Sequence, residues 1–252
     1  MATVGELLRQ WRHRRQLSQL DLAIAADVSP RHVSLVETGK SQPSADMVLR
    51  LAEQLDVPLR ERNALLLAAG FAPRYAETPL DSTALSMARA AVDRVLRAHE
   101  PYPAIAFDRH WDIVLTNRAV EPFLVGVAPE LLQPMNLIRL GLDPRGLAPL
   151  VANLGDVRNV FRSRVRRQLA AAPNPRLTAL YAELLADGDT GETVEAEVVI
   201  PMVIRFEGVE LQLFSTITTF GTPLDLTLND LAVEAYYPAD AETAAYFERP
   251  TA

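Results

Sequence analysis

The most informative absence in this 252-residue sequence is that of cysteine. Without cysteine the chain has no disulfides, no thiolate metal ligands and no cysteine nucleophile, and its composition suits a reducing compartment. The N-terminus has no basic segment followed by an apolar run, so we expect no signal peptide. The longest apolar runs, such as 198–204, are far too short to cross a bilayer. We therefore expect a cytoplasmic protein that does not bind a membrane.

Histidine and lysine are also scarce. The four histidines, at positions 13, 32, 99 and 110, form neither the i, i+4 pair of a metalloprotease nor the His-x-His pair of a cupin. Lysine occurs only at position 40, so the second part of the chain lacks the base of a Ser-Lys self-cleaving repressor. No glycine-rich phosphate loop is present. We expect no catalytic residues, no metal site, no cofactor and no enzyme activity.

Positive charge is outweighed by negative charge, and the formal net charge is −7. Residues 1–70 carry nine Arg and Lys against eight Asp and Glu, a net +1, whereas residues 71–252 carry sixteen against twenty-four, a net −8. A nearly neutral first part is compatible with DNA binding through a local basic face. It predicts modest non-specific affinity, so tight binding would depend on dimerisation.

The stretch 18–40 predicts two short helices around a tight turn, a helix-turn-helix. Ser18 and Ser29 are good N-caps for the two helices, and Gly39 suits the left-handed residue that ends the second. The outer face of the second helix then carries polar and basic side chains, which is what reading of a DNA major groove requires.

Three further helices flank this pair. An apolar stripe at positions 4, 7, 8 and 11 predicts a first helix, residues 44–55 predict a fourth, and residues 59–69 predict a fifth. The sequence therefore predicts an all-α, five-helix domain over residues 1–72.

The helix pair and its flanks resemble the DNA-binding domain of the phage-repressor-like (XRE) regulators, which has the lambda-repressor-like fold. The family pattern stands here as Ser18-Gln19-Leu20-Asp21-Leu22-Ala23, then Ser29, Ser34, Glu37-Thr38-Gly39 and Pro43-Ser44. The resemblance implies phosphate contacts from Gln19 and Lys40, and an ion pair between Arg12 and Glu37. It places Arg31, His32, Ser34 and Leu35 towards base edges. The alternative is a helical hairpin in an unrelated bundle.

The pattern changes after this domain. Residues 73–100 predict a linker followed by a connecting helix at 84–99. Beyond Pro101 we predict strands at 104–107, 111–115, 194–200, 203–206, 209–220 and 231–236, with helical segments at 117–125, 147–169 and 177–184. These elements predict an α+β domain with an antiparallel sheet over residues 101–252.

Two segments of the second domain are similar to the ligand-binding domain of the MmyB-like transcription regulators: residues 101–123, PYPAIAFDRHWDIVLTNRAVEPF, and residues 136–154, NLIRLGLDPRGLAPLVANL. Residues 59–73, LRERNALLLAAGFAP, are similar to the helix bundle of the same branch. The resemblance implies a PAS-like fold with an apolar cavity and a small-molecule sensor, and a fatty-acid-like ligand has been proposed for a relative.

Six aromatic residues are candidates for the cavity wall, although each also fits a plain core position: Phe107, Trp111, Phe123, Phe161, Phe206 and Phe214. A carboxylate ligand needs a positive anchor, for which Arg139 beside Asn136 is the first candidate and Arg158 and Arg162 are the next. Asn117 is either a donor to the ligand or a helix cap. We interpret the arginines at 162, 164, 166 and 167 as a solvated helix face.

These features together predict a homodimeric regulator that binds double-stranded DNA at a pseudo-palindromic operator and senses a small apolar, fatty-acid-like ligand. The alternative is that the second domain only dimerises or binds a partner protein. An apolar cavity would favour the sensor, whereas a packed core with an exposed apolar patch would favour the interaction module.

Overall fold

The computed structural model of the chain describes residues 2–188, 201–221 and 223–249. The chain forms two compact units, Met1–Thr78 with Pro223–Leu226, and Pro79–Thr222 with Thr227–Ala252. The strand predicted at 194–200 lies outside the described residues. In the described ranges, no helix has both the length and the apolar character that a membrane crossing requires.

The first unit contains the five predicted helices: α1 (Val4–Arg14), α2 (Gln19–Ala25), α3 (Pro30–Glu37), α4 (Ala45–Gln54) and α5 (Leu59–Ala68). In α1 to α4, the side-chain oxygen of a Ser or Thr N-cap accepts a hydrogen bond from a backbone N–H of the first turn. The apolar stripes of the helices meet in one core, which contains Leu8, Trp11, Leu22, Val33 and Leu51 among others.

Helix α1 packs directly against the backbone of α3 at Gly5. A Cβ atom at this position would lie 2.4 Å from the carbonyl oxygen of Val36 and 2.8 Å from that of Glu37. A side chain there would therefore push the two backbones apart. The glycine sets the spacing between the first helix and the second helix of the helix-turn-helix.

The chain beyond the first five helices continues with α6 (Ser86–Ala98), β1 (Ala104–Phe107), β2 (Ile113–Thr116), α7 (Leu137–Leu142), α8 (Leu154–Ala171), α9 (Pro175–Leu184), β3 (Met202–Phe206), β4 (Val209–Thr219), α10 (Leu226–Asn229), β5 (Ala232–Pro238) and α11 (Ala241–Phe247). Short 3₁₀ helices lie at Thr83–Leu85, Arg118–Leu124, Pro129–Leu131 and Ala148–Leu150.

The five strands form one antiparallel sheet in the order β2-β1-β5-β4-β3. Strands β3 and β4 form the predicted hairpin, whose turn residues Glu207 and Gly208 have φ values of 49° and 80°. Positive φ at both central residues is the signature of a type I′ turn. Strand β5, the last in sequence, lies between β1 and β4 and so joins the two hairpins into one sheet.

The two faces of the sheet bury different sets of residues because side chains alternate along each strand. On one face, Ala104 and Ala106 of β1 pack with Val92 and Leu96 of α6. On the other face, Ile105 and Phe107 belong to the core formed with α7, α8 and α9. The α+β prediction is confirmed, and α6 packs on the sheet of the second unit.

The structure differs locally from the predicted elements. Strand β2 begins at Ile113 because Trp111 has a left-handed backbone (φ 67°) and Asp108 binds the backbone N–H groups of His110 and Asp112. Within the segment predicted to be helical, 117–125, residues Arg118–Leu124 form a 3₁₀ helix that contains Pro122. Helices α7, α10 and α11 were not predicted, because they are too short for a periodic pattern. The equally short α2 was located by its N-cap and the family pattern.

Candidate functional site

Helix α3 is held by its ends and by its inner face. Ser29 Oγ accepts a hydrogen bond of 3.1 Å from the His32 backbone N–H, and Pro30 occupies the first turn, where its missing N–H costs little. Val33 and Val36 are each 1% exposed in the core of the bundle. The inner face of α3 is therefore fixed, and the helix presents its opposite face outwards.

Two cations lie at α3, Arg31 on its outer face and Lys40 just beyond its C-terminal end. Arg31 and Lys40 are exposed, and neither has an ion-pair partner within the part of the chain that the structure describes. His32, Ser34 and Leu35 are half-buried. His32 Nε2 is shielded from solvent and has no hydrogen-bond partner among the described residues. Arg31 is thus the most accessible of the residues that the sequence placed towards base edges.

The C-terminal end of α3 has a defined backbone geometry. Gly39 is left-handed (φ 70°), its N–H binds the Val36 carbonyl at 3.1 Å, and the Lys40 N–H binds the Leu35 carbonyl at 2.8 Å. These bonds form a Schellman motif, which satisfies carbonyl groups at the helix end. The motif fixes the backbone of Lys40 directly after α3.

The predicted ion pair between Arg12 and Glu37 is confirmed, and it is buried. Arg12 Nε and Nη2 donate to the two carboxylate oxygens of Glu37 at 2.7 and 2.9 Å, and Arg12 Nη1 donates to the Leu17 carbonyl at 2.7 Å. Burial raises the pKa of Glu37, but the hydrogen bonds from Arg12 and Gln19 lower it. The lowering outweighs the effect of burial, so the pKa lies below its ordinary value. The pair therefore remains ionised at neutral pH.

Gln19 belongs to the same network. Its Nε2 donates to Glu37 Oε2 at 2.8 Å, so the first residue of α2 is tied to the last residue of α3. The side chain is half-buried. Its orientation is thus set within the protein, and the phosphate contact expected of Gln19 stays a prediction.

The second unit contains an apolar cavity against the α8 face of the sheet. Its wall comprises Pro103, Ile105, Ile113, Val120, Phe123, Leu124, Leu137, Leu140, Gly141, Leu147, Val151, Val157, Phe161, Met202, Ile204, Leu213 and Tyr236. The space in which the centre of a water molecule can lie within this cavity has a volume of about 80 Å³. An apolar cavity of about 150 Å³ holds one benzene molecule, so this cavity has room only for a small molecule or a short chain.

Two of the predicted aromatic residues, Phe123 and Phe161, lie on the cavity wall. Phe107 and Trp111 stack on each other behind it, with ring centroids 5.3 Å apart. Phe214 is on the opposite face of the sheet from its neighbour in β4, the wall residue Leu213, and stacks on Tyr237. Phe107, Trp111 and Phe214 therefore lie off the wall of this cavity.

Phe206, the sixth aromatic candidate, also lies off the wall. Its ring packs against that of the wall residue Phe123, with centroids 4.6 Å apart. It therefore supports the wall from behind.

The proposed anchor Arg139 is engaged elsewhere. Its guanidinium donates to both carboxylate oxygens of Glu183, at 2.5 and 2.7 Å, and this hydrogen bonding raises the pKa of Arg139. Asn136 caps α7 and donates to the His110 carbonyl and to the Asp112 carboxylate. Neither side chain lies on the cavity wall, so the expectation that they hold a ligand there is not supported.

Asn117 and Arg162 also have structural contacts. Asn117 is 4% exposed, donates to the carbonyls of Leu96 and Tyr102, and accepts from the Ala104 N–H. Arg162 is buried and donates to the Leu185 and Asp187 carbonyls. Neither lies on the cavity wall, and Arg158 does not either. Asn117 connects β1 to α6 instead, and Arg162 holds the end of α9.

The sequence interpretation missed the polar group at the cavity. Tyr236 of β5 is a wall residue, and the nearby Glu234 forms an ion pair with Arg164 of α8 at 3.0 Å. The sequence predicts that Arg164 lies on a solvated helix face, but its guanidinium stacks 4.4 Å from the centroid of the Trp111 ring. The alternation of β5 places Glu234 and Tyr236 on one face, which is the signal that could have linked them.

Comparison with known proteins agrees with this two-part architecture. Residues 3–65 match a family model described as a helix-turn-helix domain. Residues 88–249 match the model of the MmyB-like transcription regulator ligand binding domain. No protein of curated function matches the chain.

One solved structure with a detectable likeness is that of the clp gene regulator ClgR from Corynebacterium glutamicum. It is 26% identical, and the match covers 39% of this chain and 90% of that chain with a TM-score of 0.24. A TM-score this low does not bear on the fold. The ligand-binding model, by contrast, spans more than half of the chain. The protein therefore belongs to the MmyB-like transcription regulators, with a helix-turn-helix DNA-binding domain ahead of the ligand-binding domain of that family.

Proposed function

We propose that the protein is a homodimeric transcription regulator whose affinity for a pseudo-palindromic operator is set by a small, fatty-acid-like apolar ligand in its PAS-like second domain. The observation that carries the proposal is the apolar cavity in a chain that also has a helix-turn-helix. A ligand changes operator affinity only if it binds the two states of the protein with different free energies.

The DNA-binding half of the proposal rests on α3. Arg31 has the length and the donors to read a base edge in the major groove, whereas Lys40 lies directly after the helix, where a cation neutralises a phosphate. The net charge of +1 over residues 1–70 gives one copy a weak electrostatic attraction to DNA. Two copies that bind half-sites about one helical turn apart would hold the DNA more tightly than one copy can. The weak attraction of a single copy therefore supports a dimer.

The sensing half of the proposal rests on the chemistry of the wall. Nearly all of the described wall residues are aliphatic or aromatic, and most are buried. A binding site for a small molecule is usually a mostly apolar concavity of this kind. The cavity also favours the sensor over an interaction module, for which a packed core with an exposed apolar patch is expected.

The direct test is operator affinity with and without ligand. Small molecules extracted from the denatured protein are identified by mass spectrometry, and the compound found is added back at saturation in a fluorescence-anisotropy titration with operator DNA. We expect an apolar compound in stoichiometric amount and a change in operator affinity of at least fivefold. Unchanged affinity at saturation would refute the sensor.

A further inference from the structure

Tyr236 is the chemical exception on the cavity wall. Among the described wall residues it brings the only side-chain O–H or N–H group. Within the described part of the chain, its hydroxyl makes no hydrogen bond, although its backbone carbonyl interacts with His99 Nε2 at 2.6 Å. An unpartnered hydroxyl on a residue of an otherwise apolar wall is a group whose hydrogen bond a ligand in the cavity can supply.

The hydroxyl is held in its neutral form. Burial raises the pKa of Tyr236 well above its ordinary value, the neighbouring Glu234 raises it further, and Arg164 opposes this effect. Tyr236 therefore keeps its proton at physiological pH. It offers a ligand one O–H donor together with the acceptor lone pairs of a neutral phenol.

The charges closest to Tyr236 neutralise each other. Arg164 Nη1 and Nη2 donate to the two oxygens of Glu234 at 3.1 and 3.0 Å, and Ser215 Oγ donates to Glu234 Oε1 at 2.7 Å. Ser215 lies opposite Tyr236 in the β4–β5 ladder. The Arg164–Glu234 pair thus leaves no uncompensated positive charge for an anionic ligand, and a buried carboxylate would lie close to Glu234.

We propose that Tyr236 recognises an uncharged polar head, such as an alcohol or carbonyl, on a short aliphatic ligand, and that the cavity rejects the corresponding carboxylate. The short chain follows from the cavity volume of about 80 Å³. This inference rests on the proposed function, because it takes the cavity to be the sensor's ligand site. It keeps the apolar chain of the fatty-acid-like ligand proposed above and replaces the acid head with an uncharged one.

The test compares three ligands of similar length by isothermal titration calorimetry with the full chain: 1-hexanol, hexanoate and n-pentane, at about pH 7.5, where hexanoate is ionised. We expect 1-hexanol to bind at least tenfold more tightly than hexanoate. Tyr236→Phe should weaken 1-hexanol binding about two- to tenfold, the value of one hydrogen bond, and leave n-pentane binding unchanged. Unchanged n-pentane binding also shows that the variant retains its fold and cavity.

Tyr237→Phe is the matched control, since Tyr237 is the next residue of β5 and stacks on Phe214 on the other face of the sheet. It should bind 1-hexanol as the parent protein does. The proposal is overturned if hexanoate binds as tightly as 1-hexanol, if Tyr236→Phe has no effect, or if none of the three ligands binds. In each of these cases the sensor function is tested separately, by the measurement of operator affinity with the extracted compound.

Discussion

Arg12 and Glu37 form a bidentate ion pair that joins the end of α1 to the end of α3, and both side chains are less than a tenth exposed. Because Gln19 donates to the same carboxylate, three helices meet at one buried charged group. Glu37 is the last residue of α3. The position of the DNA-reading helix relative to α1 and α2 therefore depends on this network.

Replacement of Arg12 should lower the free energy of unfolding far more than replacement of an exposed arginine. Arg12→Met leaves Glu37 buried without its partner, and we expect the free energy of unfolding to fall by about 3–5 kcal/mol. Arg97→Met is the control, because Arg97 pairs with Asp93 on the surface of α6, and we expect a change below about 1 kcal/mol. Urea unfolding of both variants measures the difference, and similar losses would contradict a structural role for the buried pair.

The Glu37 carboxylate should make the first unit sensitive to acid. Its pKa is lowered in the folded state, so its stabilising contribution is present above the ordinary value of 4.5 and is lost as the pH falls through the folded-state value. We expect the free energy of unfolding to decrease below about pH 4.5 more steeply in the parent protein than in Glu37→Gln. Glu6 and Asp21 also have lowered pKa values but are common to both proteins. Parallel pH profiles would show that Glu37 makes no such contribution.

Gly5→Ala should destabilise the protein even though alanine is the better helix former. The added Cβ would meet the Val36 and Glu37 carbonyl oxygens, and we expect a loss of about 1–3 kcal/mol. Gly155→Ala is the matched control near the start of α8, where a Cβ meets no atom within 4 Å and stability should be unchanged or slightly higher. Thermal unfolding compares the two, and equal effects would mean that α1 can shift away from α3 at little cost.

The two exposed cations of the α3 region should have different roles on DNA. Arg31→Ala should reduce discrimination between operator and mismatched sites by about tenfold, the value of a bidentate base contact. Lys40→Ala should weaken binding to all DNA about equally and lower the slope of log affinity against log salt by about one. Anisotropy titrations at several salt concentrations separate these effects. If both variants lose affinity uniformly, Arg31 does not read bases.

Arg139→Ala should leave ligand binding unchanged. Arg139 pairs with Glu183 and is absent from the cavity wall, so we expect less than a twofold change in the affinity for hexanoate, the kind of ligand that an arginine anchor would hold. Glu183→Gln removes the other partner of the same pair and serves as the control for any indirect effect of α7. A tenfold loss in Arg139→Ala alone would restore Arg139 as the anchor.

The helix-turn-helix was predictable because its signals are local. Ser18 and Ser29 cap their own helices, and Gly39 ends α3, within a few residues of the positions where the sequence shows them. The same applies to the hairpin turn at Glu207 and Gly208. Each of these elements is specified by side chains that act on their own backbone, so a pattern of residue types is enough to locate it.

The ligand cavity was less predictable because its residues converge from distant parts of the chain. Arg164 reads as one of several helix arginines, and its partner Glu234 lies 70 positions later. Nothing in the local pattern tells which face of β5 is buried, so Tyr236 reads as an ordinary strand residue. Arg139 is a candidate ligand anchor from the sequence because it is a cation in a segment that matches the family. Its ion pair with Glu183, which occupies it, is a long-range contact that the local pattern does not show.

The central place of β5 has a consequence for the order in which the protein is made. During synthesis the five-helix bundle can fold as soon as it is complete, because its contacts are close in sequence. The sheet cannot close until β5 has been added between β1 and β4, and the same strand brings Tyr236 to the cavity. A nascent chain would therefore have a complete helix-turn-helix before the wall of its cavity is complete.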